Sequence, residues 1–128
     1  MSAEWRWDFA YEILPKMLWA TLNTIMAAGI GYAIAVVVGL IFLIGQRTPY
    51  KVINILVREI VEFIRSTPLL IQLFFLYFVG PQFGIILSAW VTAMITIGLH
   101  FGTYLSEVYR GALEGVPKSQ WEACRALN

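Results

Sequence analysis

The sequence predicts an all-α integral membrane helical bundle, and three observations carry that prediction. Hydrophobic residues make up 59% of the chain and charged residues 13%, where an ordinary soluble domain carries about a quarter charged. The mean hydropathy is +0.73. Two stretches, Met17 to Gln46 and Ser66 to Ser106, hold no Asp, Glu, Lys or Arg at all. About 20 helical residues cross the hydrocarbon layer of a bilayer. The first stretch therefore accommodates one span, and the second, interrupted by Gly80-Pro81-Gln82-Phe83-Gly84, accommodates two. A soluble core of this size could not hide so much apolar surface, so residues 1–128 read as a single membrane domain.

Charge and cysteine content exclude several classes of partner. A formal net charge of +1 points to no nucleic acid and no strongly acidic ligand. The single cysteine, Cys124, has no partner for an internal disulfide and reads as a small helix residue. His100 is likewise the only histidine. With no second imidazole to share a metal, a hydrogen-bonded packing role is preferred over proton or ligand binding.

Residues 1–16 interleave Glu4, Arg6, Asp8, Glu12 and Lys16 with Trp5, Trp7, Phe9, Tyr11 and Ile13. Aromatic rings with one apolar and one wet end suit a membrane–water interface. A short interfacial helix is expected there, bent at Leu14-Pro15 into the first span. It is not a cleavable signal peptide, because a basic leader is lacking and the apolar run that follows is too long and too Gly-rich.

The first span is placed at 17–45. Along it Ala27, Gly31, Ala35 and Gly39 recur every fourth residue, a small-residue stripe that lets another helix backbone approach closely. The plainer alternative is that Ala and Gly are simply common in membrane helices. Thr21, Asn23 and Thr24 could hydrogen-bond across helices or sit near the interface. Gly45 to Lys51 reads as a turn.

A kinked second span is placed at 52–79. Its first part keeps Arg58, Glu59, Glu62 and Arg65 among apolar residues, so it is amphipathic and should start below the membrane surface. Ion pairing at helical spacing, as between Arg58 and Glu62, lessens the cost of bringing these charges near lipid. No nucleophile or ligand set accompanies the two carboxylates, which argues against acid–base chemistry. Pro68 removes a helix hydrogen bond and is expected to kink the helix, with Ser66 and Thr67 satisfying freed carbonyls. Arg65 is either a topological anchor or a residue near a translocation pathway.

The third span is placed at 85–106, with Gly98 and Gly102 as a close-contact pair. Residues 107–128 follow as a polar segment in which Glu107 and Arg110 can pair at i, i+3. Pro117 suits the first turn of a helix, and Ser119 with Glu122 has capping-box spacing. The resulting helix mixes Lys118, Glu122 and Arg125 with Trp121, Ala123, Ala126 and Leu127. It suits docking on another protein, or is an ordinary solvated helix end. With the N-terminus outside, seven of the nine basic residues fall on the inner side, so the positive-inside rule favours an extracytoplasmic N-terminus and a cytoplasmic C-terminal end.

Three stretches have a recognisable pattern: Glu62-Phe63-Ile64-Arg65-Ser66-Thr67-Pro68-Leu69-Leu70-Ile71-Gln72, Gly102-Thr103-Tyr104-Leu105-Ser106-Glu107-Val108-Tyr109-Arg110-Gly111, and Pro117-Lys118-Ser119-Gln120-Trp121-Glu122-Ala123-Cys124-Arg125-Ala126-Leu127. In this order and spacing they resemble the permease subunits of ABC importers, specifically the polar amino-acid (His/Glu/Gln/Arg/opine) family. The last stretch resembles that family's cytoplasmic EAA loop. Ser119 stands where Gly is usual, Cys124 replaces the second Ala, and Asn128 takes the place of the motif's Gly, where its tolerance of a left-handed turn preserves the shape. Ala126-Leu127-Asn128 makes the ectoine/hydroxyectoine branch a candidate.

The resemblance implies a bacterial inner-membrane, multi-pass permease subunit for polar amino acids or related zwitterionic solutes, not itself an enzyme. It implies an ABC ATPase subunit docked on Pro117, Lys118, Gln120, Trp121, Glu122, Ala123, Arg125 and Leu127. A second permease copy or homologue and an extracytoplasmic solute-binding protein complete the assembly. ATP and Mg would be bound by the partner, since no G-x-x-x-x-G-K-[ST] loop occurs here, and this chain carries no cofactor. The family also implies about five membrane helices, whereas three are legible before the sequence stops inside its coupling motif. The expectation is a fragment or a truncation. The alternative reading is a non-conducting membrane interaction protein that docks on an ATPase or a permease. A membrane enzyme is third, with no nucleophile–base pair to support it.

Overall fold

In the computed structural model, which describes residues 6–127, the charge-free run 17–46 is helical throughout and the helix extends upstream of it, giving one 40-residue helix, α1 (Trp7–Gln46). This corrects the expected interfacial helix and its bend. Pro15 lies inside α1 and the helix continues on both sides of it. The ring's fixed φ is compatible with a helix, and the missing donor costs one rung of the ladder at Tyr11. Glu4 and Trp5 of the expected segment lie outside the described residues. The helix also takes in Gly45 and Gln46, so the turn to α2 (Lys51–Ser66) begins only at Arg47.

The small-residue stripes of α1 and α4 (Ala89–Glu114) meet. Gly31, Ala35 and Gly39 are buried on one helix, and Gly98 and Gly102 on the other. Ala27, at the outer end of the stripe, is half-buried. A Cβ added to Gly31 would lie 2.7 Å from Ile97 Cγ2, and one added to Gly102 2.7 Å from Val38 Cγ1 and 3.3 Å from the Ala35 carbonyl oxygen. Contact partners rise together in number along both helices, so α1 and α4 run parallel.

α4 buries hydroxyls as well as glycines. Thr92, Thr96, Thr103 and Ser106 donate to carbonyls of their own helix, at Ser88, Thr92, His100 and Thr103, over 2.6–2.9 Å. A hydroxyl satisfied this way needs no partner across the interface and can be buried cheaply. Thr21 and Thr24 of α1 do the same, donating to Met17 and Ala20 carbonyls rather than across helices.

The expected kink at Pro68 is a full break. Thr67 and Pro68 are both extended, at ψ 129° and 135°, because a residue preceding proline is pushed out of the helical region. α2 therefore stops, and α3 (Leu69–Phe74) leads through a π-helical turn, Phe75–Val79, and a 3₁₀ turn, Gly80–Phe83. This rod, Leu69–Phe83, is bent 102° from α2. Ser66 and Thr67 hydroxyls both donate to the Phe63 carbonyl, at 3.0 and 2.8 Å, covering an acceptor the break exposes. Gly84, at φ +80°, turns the chain back. Four residues on, Ser88 caps α4 by accepting from the Val91 N–H at 3.3 Å.

Among the described residues α1 alone qualifies by length and composition as a membrane-crossing helix, while α2 and the rod qualify only as a bent pair. α4 begins at Ala89 rather than Ile85 and runs past Ser106 to Glu114. Its 26 residues reach about 39 Å at 1.5 Å each, but the buried hydroxyls and His100 lower its average hydropathy.

Replacing Gly102 by Leu should lower the thermal midpoint of the purified protein by an amount equivalent to about 1–3 kcal/mol, the usual cost of overpacking. Gly29→Ala, at a helical position with nothing within 4 Å, should not lower it and should raise it slightly, alanine being the better helix former.

Candidate functional site

Beyond the apolar spans the ends of α1, α2 and α4 converge on Glu107. Gln46, the last residue of α1 and only 2% exposed, donates from Nε2 to Glu107 Oε1 at 3.0 Å. Its backbone carbonyl accepts from Asn54 Nδ2 on α2. Arg110 donates to Glu107 Oε2 from Nη2 at 2.6 Å and from Nε at 3.2 Å. The same guanidinium reaches both carboxylate oxygens of Glu114 at 2.9 Å. Glu107 and Arg110 are thus paired one turn apart, within a larger network that ties three helices together.

Arg110 is the first cause holding the Glu107 carboxyl below its ordinary pKa, and the Gln46 amide adds to the effect against a burial penalty. The Arg110 guanidinium is correspondingly raised. Both groups stay charged over the whole physiological range.

Arg65 stands at the other side of this network. Its guanidinium lies 5.0 Å from the centroid of the Tyr104 ring, a cation–π geometry, and pairs with Glu62 at 3.8 Å. Glu62 therefore pairs towards Arg65 rather than back to Arg58. Arg58, Glu59, Glu62 and Arg65 of α2 and Glu107 and Arg110 of α4 line an open cleft of about 240 Å³. The Tyr104 hydroxyl leans on the Arg65 carbonyl at 3.4 Å.

Gln72 closes the break. Its Nε2 lies 2.7 Å from the Ile64 carbonyl, 2.9 Å from the Thr67 carbonyl and 3.1 Å from His100 Nδ1. One amide thus joins the end of α2, the start of the rod and the middle of α4. His100 is buried and hydrogen-bonded. Among the described residues no group of three His, Cys, Asp or Glu is placed to hold a metal ion.

The remaining sequence-predicted residues lie on α5 (Lys118–Ala126), joined to α4 by the three residues Gly115–Pro117. The capping box does not form. Pro117 occupies the N-cap with no side-chain cap, its carbonyl accepting from the Gln120 N–H at 3.0 Å, so Ser119 sits inside the first turn, too late to cap it. Lys118, Glu122 and Arg125 share one flank at i, i+4, i+7, and Trp121, Cys124 and Leu127 another at i, i+3, i+6. Pro117, Lys118, Gln120, Trp121, Glu122, Ala123, Arg125 and Leu127 are all exposed, and α5 packs on no other described element. Asn128 lies outside the described residues.

Gln46, Asn54 and Tyr104 belong to the site without any signal in residue spacing, and Glu114 joins it at i, i+4 from Arg110. Gln46 was visible only as a lone amide ending the apolar run, and its burial against Glu107 is a contact across 61 positions.

The model of the family described as "Binding-protein-dependent transport system inner membrane component" matches residues 31–128. A Sinorhizobium fredii protein named a probable amino-acid ABC transporter permease, y4tG, is 42% identical over 94% of this chain and 52% of its own length. The nopaline transport system permease protein NocM of Agrobacterium fabrum is 32% identical over 91% of this chain and 52% of its own. The L-cystine transport system permease protein TcyB of Bacillus subtilis is 29% identical, covering 88% and 50%. A crystal structure of an amino acid ABC transporter with histidines superposes with a TM-score of 0.73 at 27% identity, over 91% of this chain and 57% of that one. The chain spans about half the length of the curated relatives it matches.

Replacing Glu107 by Ala should leave the buried Gln46 amide without its acceptor, at a cost of about 1–3 kcal/mol, read as a lower thermal midpoint at neutral pH. The sign with pH follows from a lowered pKa. The contribution is complete above the ordinary value of 4.5 and is lost as pH falls through the lower folded value. The gap between parent and variant should therefore narrow in acid without closing, since a protonated carboxyl still accepts from Gln46.

Proposed function

The chain belongs to the family of binding-protein-dependent transport system inner membrane components, a family of transport permeases rather than enzymes, and on that premise we propose that it couples a partner ATPase to the import of a polar amino acid or a related zwitterionic solute. The observation that carries this reading is α5, an exposed amphipathic helix that packs on nothing else in the described chain and is held on a three-residue turn at the end of α4.

A force applied to α5 has one route into the membrane. Gly115 still donates to the Gly111 carbonyl at 2.9 Å, so the turn continues the last rung of α4 rather than hanging free. α4 in turn is tied to α1 through the Glu107–Gln46 hydrogen bond and again through the glycine contacts, and α2 joins the same junction through Asn54 on the Gln46 carbonyl. Displacement of α5 therefore moves α4 and α1 together, the rigid-body kind of transition that packed interfaces support.

In this account ATP and Mg bind the ATPase subunit, a second permease copy or homologue completes the pathway, and an extracytoplasmic binding protein delivers the solute. The amino-acid and opine names of the relatives support the solute class. The N-terminus lies outside and α5 inside, as the distribution of Lys and Arg favours.

Reversing the charge of the polar flank tests this. Glu122→Lys should abolish co-purification of the ATPase subunit while membrane insertion and yield stay as in the parent. Undiminished co-purification would refute docking through α5.

A further inference from the structure

We infer that α2 lies flat in the cytoplasmic surface of the membrane, its apolar flank in the lipid and its charged flank in water, rather than forming the first half of a span. The inference rests on the inner-membrane assignment of the family and adds a lipid-contacting surface to it.

Direction comes first. Gln72 meets His100, and further along the rod Phe75 and Leu76 share a groove with Ile95 and Thr96. Numbers rise on the rod as they fall on α4, so the rod runs antiparallel to α4 and through the same layer. α2 is bent 102° from that rod and so crosses it instead of extending it. Its inner side crosses the ends of two other helices: Val57 packs on Gly45, Asn54 reaches Gln46, and Arg65 stacks on Tyr104.

The side chains divide accordingly. Lys51, Arg58, Glu62 and Arg65 follow one another at helical spacing along one flank, with Glu59 beside them and Ile55 as the apolar exception. On the opposite flank Val52, Ile53, Leu56, Ile60 and Phe63 are 41–78% exposed in the described chain. A helix with so clean a division and a charged face is the kind that lies in a bilayer interface. A spanning α2 would carry the stripe from Lys51 to Arg65 through about 21 Å of depth, at 1.5 Å per residue, each buried charge being costly in lipid. Lying flat puts all four charges at one depth. The position agrees, because only residues 47–50 separate α2 from the end of the 30-residue charge-free run of α1, where the hydrocarbon layer should end too. Arg47, Lys51, Arg58 and Arg65 at this level complement anionic headgroups.

Nitroxide labels measure depth directly. Single cysteines at Val52, Leu56, Ile60 and Phe63, in the full chain with Cys124→Ser, are labelled and reconstituted in vesicles of phosphatidylethanolamine and phosphatidylglycerol. Collision with oxygen is compared with collision with a water-soluble nickel chelate. Labels at the exposed positions Val37 and Ile41 of α1 serve as the reference for lipid. The inference predicts oxygen-rich labels at one common depth, shallower than those on α1, and chelate-accessible labels at Lys51 and Glu59. A depth that increases steadily by roughly 16 Å from Val52 to Phe63 would overturn it in favour of a span. Shielding from both probes would overturn it in favour of a protein partner. Chelate access at Val37 and Ile41 would instead overturn the membrane assignment itself, and the inference with it. Should a label at Leu56 or Ile60 prevent insertion, the more exposed Val52 and Phe63 alone make the comparison.

Discussion

The close approach of α1 and α4 is the contact on which the rest of the structure depends. In a bilayer there is no hydrophobic drive between helices, because lipid is as apolar as leucine, so association relies on packing and on how near two backbones can come. Glycine at 31, 39, 98 and 102, with Ala35 between, brings the two helices to a distance at which an added methyl group meets Ile97, Val38 or Leu105 at 3.0 Å or less. Everything else is hung on this pair. α2 crosses its inner end, the rod runs back along α4, and α5 extends from the end of the same helix.

Electrostatics then closes the inner end. A carboxylate just beyond a membrane span would be costly alone, yet Glu107 is flanked by Arg110, Gln46 and the field of Arg65. The acid joins α4 to α1 through the Gln46 side chain, and the Gln46 carbonyl holds α2 through Asn54. It also places a mechanically continuous path between α5 and α1, made of a backbone turn, a helix and an ion-paired junction rather than of flexible loops.

Much of this was legible in the chain, and the reasons differ by element. The stripe of Ala27, Gly31, Ala35 and Gly39 and the pair Gly98 and Gly102 were readable because helical periodicity is local, and the Glu107–Arg110 pair because three residues make one turn. The Ser66 and Thr67 back-bonds at Pro68 followed from proline chemistry, but the 102° break did not, since a kink and a break begin with the same residues and differ in what packs on them. Pro15 shows the opposite error, a proline read as a bend that the helix passes through. The capping box at Ser119 failed because Pro117 itself took the cap. Contacts such as Gln46 with Glu107 and Gln72 with His100 join residues 61 and 28 positions apart, and no spacing rule reaches across that separation.

In the proposed assembly α5, α4 and α1 move as one body when the ATPase changes state. The most direct measurement uses the exposed Cys124 and a second label at Ile44 on α1, with pulsed electron resonance distances taken in the assembled transporter with and without ATP. The account predicts an unchanged Cys124–Ile44 distance, together with a changed distance between Cys124 and the corresponding position of the second permease subunit. A Cys124–Ile44 distance that changes with nucleotide while the distance between subunits stays fixed would contradict it.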